Sequence, residues 1–108
     1  MKKLFIAAFM FVSTFTSNVF ADGHAIKMGI ILGFTGPIES LTPAMAASAE
    51  LAFKEASDSG SLLGGKKIEV VRADSTCVDS AAATAAAEGV IAQGVAAIMG
   101  ADCSGVTG

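Results

Sequence analysis

The sequence predicts an α/β fold of three layers, a parallel sheet with helices on both faces, which is incomplete within this chain. Short apolar segments alternate with longer segments rich in helix-forming residues, in the order strand, helix, strand, helix, strand. The apolar segments are nearly continuous, as is typical of strands that are covered on both faces. Strands separated by helices form a parallel sheet through right-handed crossovers, so we expect one such sheet.

The first strand is predicted over Ile26–Leu32, whose sequence is IKMGIIL. A helix is then predicted to begin at Thr42, a favourable N-cap, with Pro43 as its first helical residue. It is expected to run to Ser57 and to pack on the sheet through a stripe of apolar residues at helical spacing. The stripe comprises Met45, Ala49, Ala52, Phe53 and Ala56.

The second half of the chain repeats this pattern. A second strand is predicted over residues 68–73, and an alanine-rich helix follows with Asp79 and Ser80 as N-cap candidates. Gly94 occupies the position where a left-handed C-terminal cap favours glycine. A third apolar strand is predicted over residues 95–99.

The first 21 residues are predicted to be a secretory signal peptide. Two lysines near the start precede an apolar run over residues 4–12, and the segment ends in small residues. The run is about half as long as the roughly twenty residues that a membrane-spanning helix needs. We expect cleavage between Ala21 and Asp22 and no stable membrane insertion afterwards. A buried helix or a membrane anchor is the competing interpretation.

The mature chain, residues 22–108, is acidic and short. The formal net charge of −3 becomes −5 once the two lysines of the leader are removed. An acidic chain without a basic cluster is not expected to bind nucleic acid or anionic lipid surfaces. A chain of this length buries only about 60% of its unfolded surface, so we expect it to be part of a larger protein.

Cys77 and Cys103 are the two cysteines of the sequence. In an exported chain an even number of cysteines indicates a disulfide first, with a metal pair or a reactive thiol as alternatives. A metal site would need more ligands than these two residues supply. Both cysteines follow predicted strands at the same edge of the sheet, so a bridge would join two loops at that edge.

The candidate binding site lies in the loops that follow the strands, because ligands of open α/β sheets bind outside the carboxyl ends of the strands. Ser104 follows the third strand and is expected to open the next helix, where N–H groups and a hydroxyl suit a carboxylate. The alternative is that Ser104 only caps its own helix. Asp102 is a possible partner for a cation, although a solvated aspartate in a loop is more common.

An enzymatic function is not expected. The glycines after the first strand, Gly29, Gly33 and Gly36, do not fit the G-x-G-x-x-G pattern, and Pro37 removes an N–H that a phosphate would need. The sequence has no Walker lysine, nucleophile elbow or histidine-based acid–base pair. We therefore expect no catalytic residue, no metal and no cofactor.

Several stretches of this sequence, in this order and spacing, resemble the leucine/isoleucine/valine-binding proteins, the type I periplasmic binding proteins of ABC importers. They are IKMGIILGFTGP, ELAFKEAS, LLGGKKIEVV, ADSTCVDSAAA and EGVIAQGVAAIMGADCSG. The resemblance implies a periplasmic protein of two lobes that closes on an amino acid and delivers it to an inner-membrane ABC permease. Residues 22–108 would form the first half of the N-terminal lobe.

The resemblance also implies roles for individual residues. It pairs Cys77 with Cys103 in a disulfide, and it places Ser104, with Cys103 beside it, on the α-carboxylate of the ligand. Leu41 stands where close relatives contact the ligand's side chain with an aromatic residue. Asp102 stands where an apolar residue is common, so a polar or cationic solute, such as an amide or a polyamine, is an alternative ligand. A ligand-sensing domain of a receptor or regulator with the same fold is an alternative function.

Overall fold

The structure, a computed structural model, describes residues 25–108, and the predicted leader with its cleavage site at Ala21 and Asp22 lies outside the described residues. Within these residues the chain forms strands and helices in the predicted alternating order. They are β1 (Ile26–Leu32), α1 (Thr42–Asp58), β2 (Ile68–Asp74), α2 (Ser80–Ala92), β3 (Ala97–Met99) and α3 (Ser104–Thr107), with a 3-10 turn at Leu62–Gly64.

The sheet has the order β2-β1-β3, and both strand pairs are parallel. β1 is paired along its whole length with β2, from Ile26 opposite Ile68 to Leu32 opposite Asp74. The third strand is shorter than the predicted 95–99, because only residues 97–99 pair with β1, although the Ala96 N–H still donates to the Lys27 carbonyl at 2.8 Å. β1 is therefore the central strand and the most buried part of the described chain.

Helices cover both faces of β1, which confirms the predicted three-layer α/β architecture. Ile30 packs on one face in a cluster with Ala46 of α1, and Phe53 packs against that cluster. Gly29 points to the opposite face, where a Cβ atom would lie 2.6 Å from Val90 Cγ1 of α2. Successive residues of a strand point to opposite faces, so α1 and α2 must lie on different sides of the sheet. Glycine at position 29 lets α2 approach β1 closely.

The buried face of α1 differs from the predicted stripe. Met45 and Ala52 are exposed, while the helix buries Thr42, Ala46 and Ser57. Ala49 and Phe53 of the predicted stripe do pack against the core cluster, but the prediction was wrong to place only apolar residues against the sheet. Two polar residues belong there, since their side chains find partners: the Thr42 hydroxyl donates to the Gly33 carbonyl at 3.0 Å, and Ser57 Oγ accepts from the Ile68 N–H at 3.2 Å.

The ends of the helices show which caps the sequence predicts correctly. Leu41, and not Thr42, occupies the N-cap position of α1, and it makes no side-chain hydrogen bond to the helix. For α2 the predicted cap is confirmed, because the Asp79 carboxylate accepts from the N–H groups of Ala81 and Ala82 at 2.9 and 3.1 Å. Gly94 has the expected left-handed conformation just after α2, with φ of 77°.

Candidate functional site

Three loops meet at the carboxyl edge of the sheet. The first loop, residues 33–41, joins β1 to α1; the second, residues 75–79, joins β2 to α2; and the third, residues 100–103, joins β3 to α3. Because the order is β2-β1-β3, the chain leaves β1 toward β2 on one face and returns to β3 on the other. The sheet therefore has a topological switch point between β1 and β3, the place where open α/β sheets form a ligand crevice.

Asp74 joins the first loop to the second. Its carboxylate accepts from the Thr35 hydroxyl at 2.5 Å and the Thr35 N–H at 3.3 Å, and also from the Thr76 N–H at 2.8 Å. Burial tends to raise the pKa of this carboxyl, but the hydrogen bonds from Thr35 and from backbone N–H groups outweigh burial and hold the pKa below its usual range. Asp74 is thus expected to remain an anionic acceptor at neutral pH.

The same two loops also approach each other closely at Gly36. Its φ is +95°, and a Cβ atom there would lie 2.5 Å from the Thr76 carbonyl oxygen. Thr76 and Cys77 are themselves left-handed, with φ of 58° and 70°, which is uncommon for residues with a side chain. Backbone strain of this kind persists only where neighbouring contacts hold it, and here the contacts come from Asp74 and from the disulfide.

The disulfide between Cys77 and Cys103 joins the second loop to the third, with the two Cα atoms 5.2 Å apart. This pairing confirms the disulfide that the cysteine count and the resemblance predict. It leaves no free cysteine in the described chain. The bridge attaches the residue before Ser104 to the loop that follows β2.

Asp102 joins the third loop to the first. The Gly33 N–H donates to both oxygens of the Asp102 carboxylate, at 3.2 Å each. Each of the three loops is therefore connected to the other two, by the carboxylates of Asp74 and Asp102 and by the disulfide. We call this set of contacts the loop ring; it fixes the arrangement of the edge before any ligand arrives.

Phe34 connects the loop ring to the body of the domain. The guanidinium of Arg72 lies over the Phe34 ring, 5.5 Å from its centre. Arg72 also donates through Nε and Nη2 to the two carboxylate oxygens of Glu50, at 2.6 and 2.8 Å, and this hydrogen bond lowers the pKa of Glu50. This bidentate ion pair joins β2 to α1. Because the same guanidinium lies over the Phe34 ring, the pair also helps to hold the start of the first loop.

The predicted ligand residues occupy two parts of this edge. Asp102, Cys103 and Ser104 are consecutive at the third loop, where Asp102 and Cys103 are partly buried and Ser104 is exposed. Cys103 occupies the N-cap position of α3 and Ser104 is the first helical residue, so capping does not account for Ser104. Leu41 lies at the far end of the first loop and is 60% exposed, a high value for leucine.

Sequence reasoning missed two buried hydroxyls and underestimated one carboxylate near the edge. The sequence predicts Thr42 only as a cap of α1 and singles out no role for Asp74, although each binds the first loop. Ser75 follows β2 and is fully buried, and its hydroxyl has no hydrogen-bond partner among the described residues. A signal for Asp74 was present in the sequence, since it directly follows the predicted second strand, at the edge where the loops converge.

Grooves of the described residues lie at both ends of the sheet: one lies near the amino end of β2, and another includes Gly100 and Ala101 of the third loop. One of about 430 Å³ lies between α1 and the start of β2, with Phe53, Ile68 and Val70 among its lining residues. Another of about 260 Å³ lies between α2, β3 and α3 and includes Ile98 and Val106.

Within residues 25–108 no cluster of three His, Cys, Asp or Glu side chains could hold a metal ion. No helix of that range is long and apolar enough to cross a membrane.

Comparison with known proteins adds one match. A family model described as periplasmic binding protein matches residues 25–108, which is every residue that the structure describes. No curated protein matches the chain. The matched range includes all three loops of the edge, so the family assignment covers the candidate site as well as the sheet.

Proposed function

Because the chain belongs to the periplasmic binding protein family, we propose that it belongs to the substrate-binding component of an ABC importer and helps to capture an amino acid in the periplasm. The family supports a solute-binding role in that compartment and contact with a transporter. The finer assignment, a branched-chain or related amino acid, is supported by the resemblance of the sequence motifs to the leucine/isoleucine/valine-binding proteins.

The observation that carries the proposal is the strand order β2-β1-β3. It creates a switch point between β1 and β3, and Asp102, Cys103 and Ser104 lie at the end of the third loop and the start of α3. A crevice at this position is where a small ligand would bind. The loop ring supports the proposal further, since a site that is ordered in advance loses less conformational entropy when it binds its ligand.

In the proposed complex Ser104 donates its hydroxyl to the α-carboxylate of the amino acid, and Leu41 contacts its side chain. Cys103, fixed by the disulfide, holds Ser104 in place. No covalent step is involved: the protein binds the zwitterion, a second lobe closes over it, and the permease binds the closed form.

Thermal unfolding of the full-length protein with a panel of amino acids, amides and polyamines tests this function. A ligand present at a hundred times its dissociation constant should stabilise the protein by about 2.7 kcal/mol, which shifts the midpoint measurably. Shifts with Leu, Ile and Val support the branched-chain assignment. Shifts with amides or polyamines alone would indicate one of those compounds as the ligand class in place of amino acids. If none of the compounds shifts the midpoint, the capture of an amino acid is contradicted.

A substitution tests the role of Ser104. Ser104→Ala should raise the dissociation constant for every amino acid bound by about tenfold, because a hydrogen bond to a charged group is lost. Ser80→Ala is the matched control, since Ser80 is likewise the exposed first residue of a helix. Equal affinities for wild type and Ser104→Ala would remove Ser104 from the site.

A polar or cationic solute is the second candidate ligand, favoured by the carboxylate of Asp102 at the edge. That carboxylate already accepts the Gly33 N–H, so the first candidate is better supported. Asp102→Leu separates the two, because a direct contact with a cationic ligand predicts a change in the ranking of ligands. An unchanged ranking would contradict the second candidate.

A further inference from the structure

The backbone N–H and carbonyl of Gly33 connect three parts of the binding edge. Its N–H donates to the carboxylate of Asp102 in the third loop, and its carbonyl accepts the buried hydroxyl of Thr42 at the start of α1. Gly33 itself is buried. Both backbone polar groups of Gly33 are therefore satisfied by side chains, one 69 positions away and one nine positions away, and neither group forms an ordinary turn.

The space around Gly33 is closed by the second loop. A Cβ atom on Gly33 would lie 3.0 Å from the Cβ of Cys77 and 3.4 Å from Ile38 Cγ1. The Cβ atom of Cys77 thus packs directly against Gly33, and the backbone at Gly33 has little room to move. Its orientation is determined by the two hydrogen bonds and by this packing.

The Asp102 carboxylate is well suited to hold this N–H. An anionic acceptor makes a stronger hydrogen bond than a neutral one, and both of its oxygens lie at the same distance from the nitrogen. An asparagine has one carbonyl oxygen that can accept from the same N–H, whereas a leucine has no acceptor. Losing the acceptor would leave a buried N–H unsatisfied.

We propose that Asp102 is a positioning residue for ligand binding: its carboxylate holds the first loop against the third, so that Leu41 and Ser104 keep a fixed relative position. This inference rests on the proposed function. A positioning role differs from a direct contact between Asp102 and a cationic ligand. Positioning needs only a hydrogen-bond acceptor for the Gly33 N–H, whereas a direct contact needs a negative charge next to the ligand.

Three variants of the full-length protein test the proposal. They are Asp102→Asn, which keeps an acceptor; Asp102→Leu, which removes it; and Glu39→Gln, which neutralises an exposed acid of the first loop as a control. For each variant we would measure dissociation constants for several amino acids and for a cationic solute. Amide hydrogen exchange at Gly33 would be measured in the same samples without ligand.

Positioning predicts that Asp102→Leu raises the dissociation constant about tenfold for all ligands alike and accelerates exchange at Gly33 by a similar factor. Asp102→Asn should stay within about threefold of wild type in both measurements, as should Glu39→Gln. The proposal would be overturned if Asp102→Asn and Asp102→Leu lost affinity equally and only for the cationic solute. Unchanged amide exchange at Gly33 in Asp102→Leu would also overturn it.

The exchange measurement also separates this proposal from the proposed function. If wild type binds no amino acid, the proposed function fails, and the positioning of an amino-acid site fails with it. If wild type binds and Gly33 exchange does not respond to Asp102→Leu, the proposed function stands and only the positioning role is lost.

Discussion

Removing the disulfide should destabilise the protein by a predictable amount. Cys77 and Cys103 are separated by 26 residues, and a cross-link over that length removes unfolded-state entropy worth about 3.5 kcal/mol at room temperature in the chain-entropy model. The variant Cys77→Ser/Cys103→Ser should lose about this much. Thr76 and Cys77 have left-handed backbone conformations. Relief of their backbone strain in the variant should offset part of the lost unfolding free energy, so about 3.5 kcal/mol is an upper value.

Equilibrium unfolding in urea, followed by circular dichroism, measures this difference. The oxidised wild type is compared with the double serine variant, with wild type reduced by a dithiol, and with Val78→Ala, whose exposed side chain should change stability by less than about 0.5 kcal/mol. A rise in the dependence of the unfolding free energy on urea is also expected, because the unfolded chain is less constrained. A loss below about 1 kcal/mol in both the serine variant and the reduced protein would refute the entropic reasoning.

Three smaller changes test other contacts of the edge. Gly36→Ala should cost about 2 kcal/mol in a thermal melt, since it combines a left-handed φ with a Cβ atom 2.5 Å from the Thr76 carbonyl oxygen; a melt like that of wild type would contradict this. The hydrogen bonds from Thr35 and Thr76 hold the folded pKa of Asp74 below its ordinary value of 3.8. Its contribution to stability is therefore present above that pH and is lost as the pH falls through the folded pKa. Stability measured between about pH 2 and pH 5 should accordingly vary less in Asp74→Asn than in wild type, and equal pH dependence would count against the hydrogen bonds described. Ser75→Ala should leave the free energy of unfolding unchanged or raise it by up to about 1 kcal/mol, because a buried hydroxyl without a partner costs desolvation energy; a clear loss would show that the hydroxyl is bonded.

Much of the fold could be predicted because it depends on local patterns. The bounds of β1 follow from one nearly continuous apolar run, and Asp79 and Gly94 mark the ends of α2 by rules that involve only their near neighbours in sequence. The disulfide was predictable from the number of cysteines and their place after two strands of one sheet. These features can be predicted without knowing the tertiary contacts between helices and strands.

The features that could not be predicted depend on partners distant in sequence. Thr42 and Ser57 look like surface residues of α1 until Gly33 and Ile68 are brought beside them. Asp102 resembles a solvated loop residue for the same reason, since Gly33 is 69 positions away. The strand order was equally hidden, because the alternation of strands and helices does not say on which side of β1 each later strand adds.

The loop ring has a consequence for the interpretation of mutant cycles. Substitutions at well-separated positions of a protein ordinarily have additive effects on free energy, and those that share a network do not. Asp74 ends β2, Cys77 lies in the loop after it and Asp102 follows β3, yet each contact shares one loop with each of the other two. Breaking any one contact opens the ring, so the second break should cost less than it would alone, and the three positions should behave as one energetic unit.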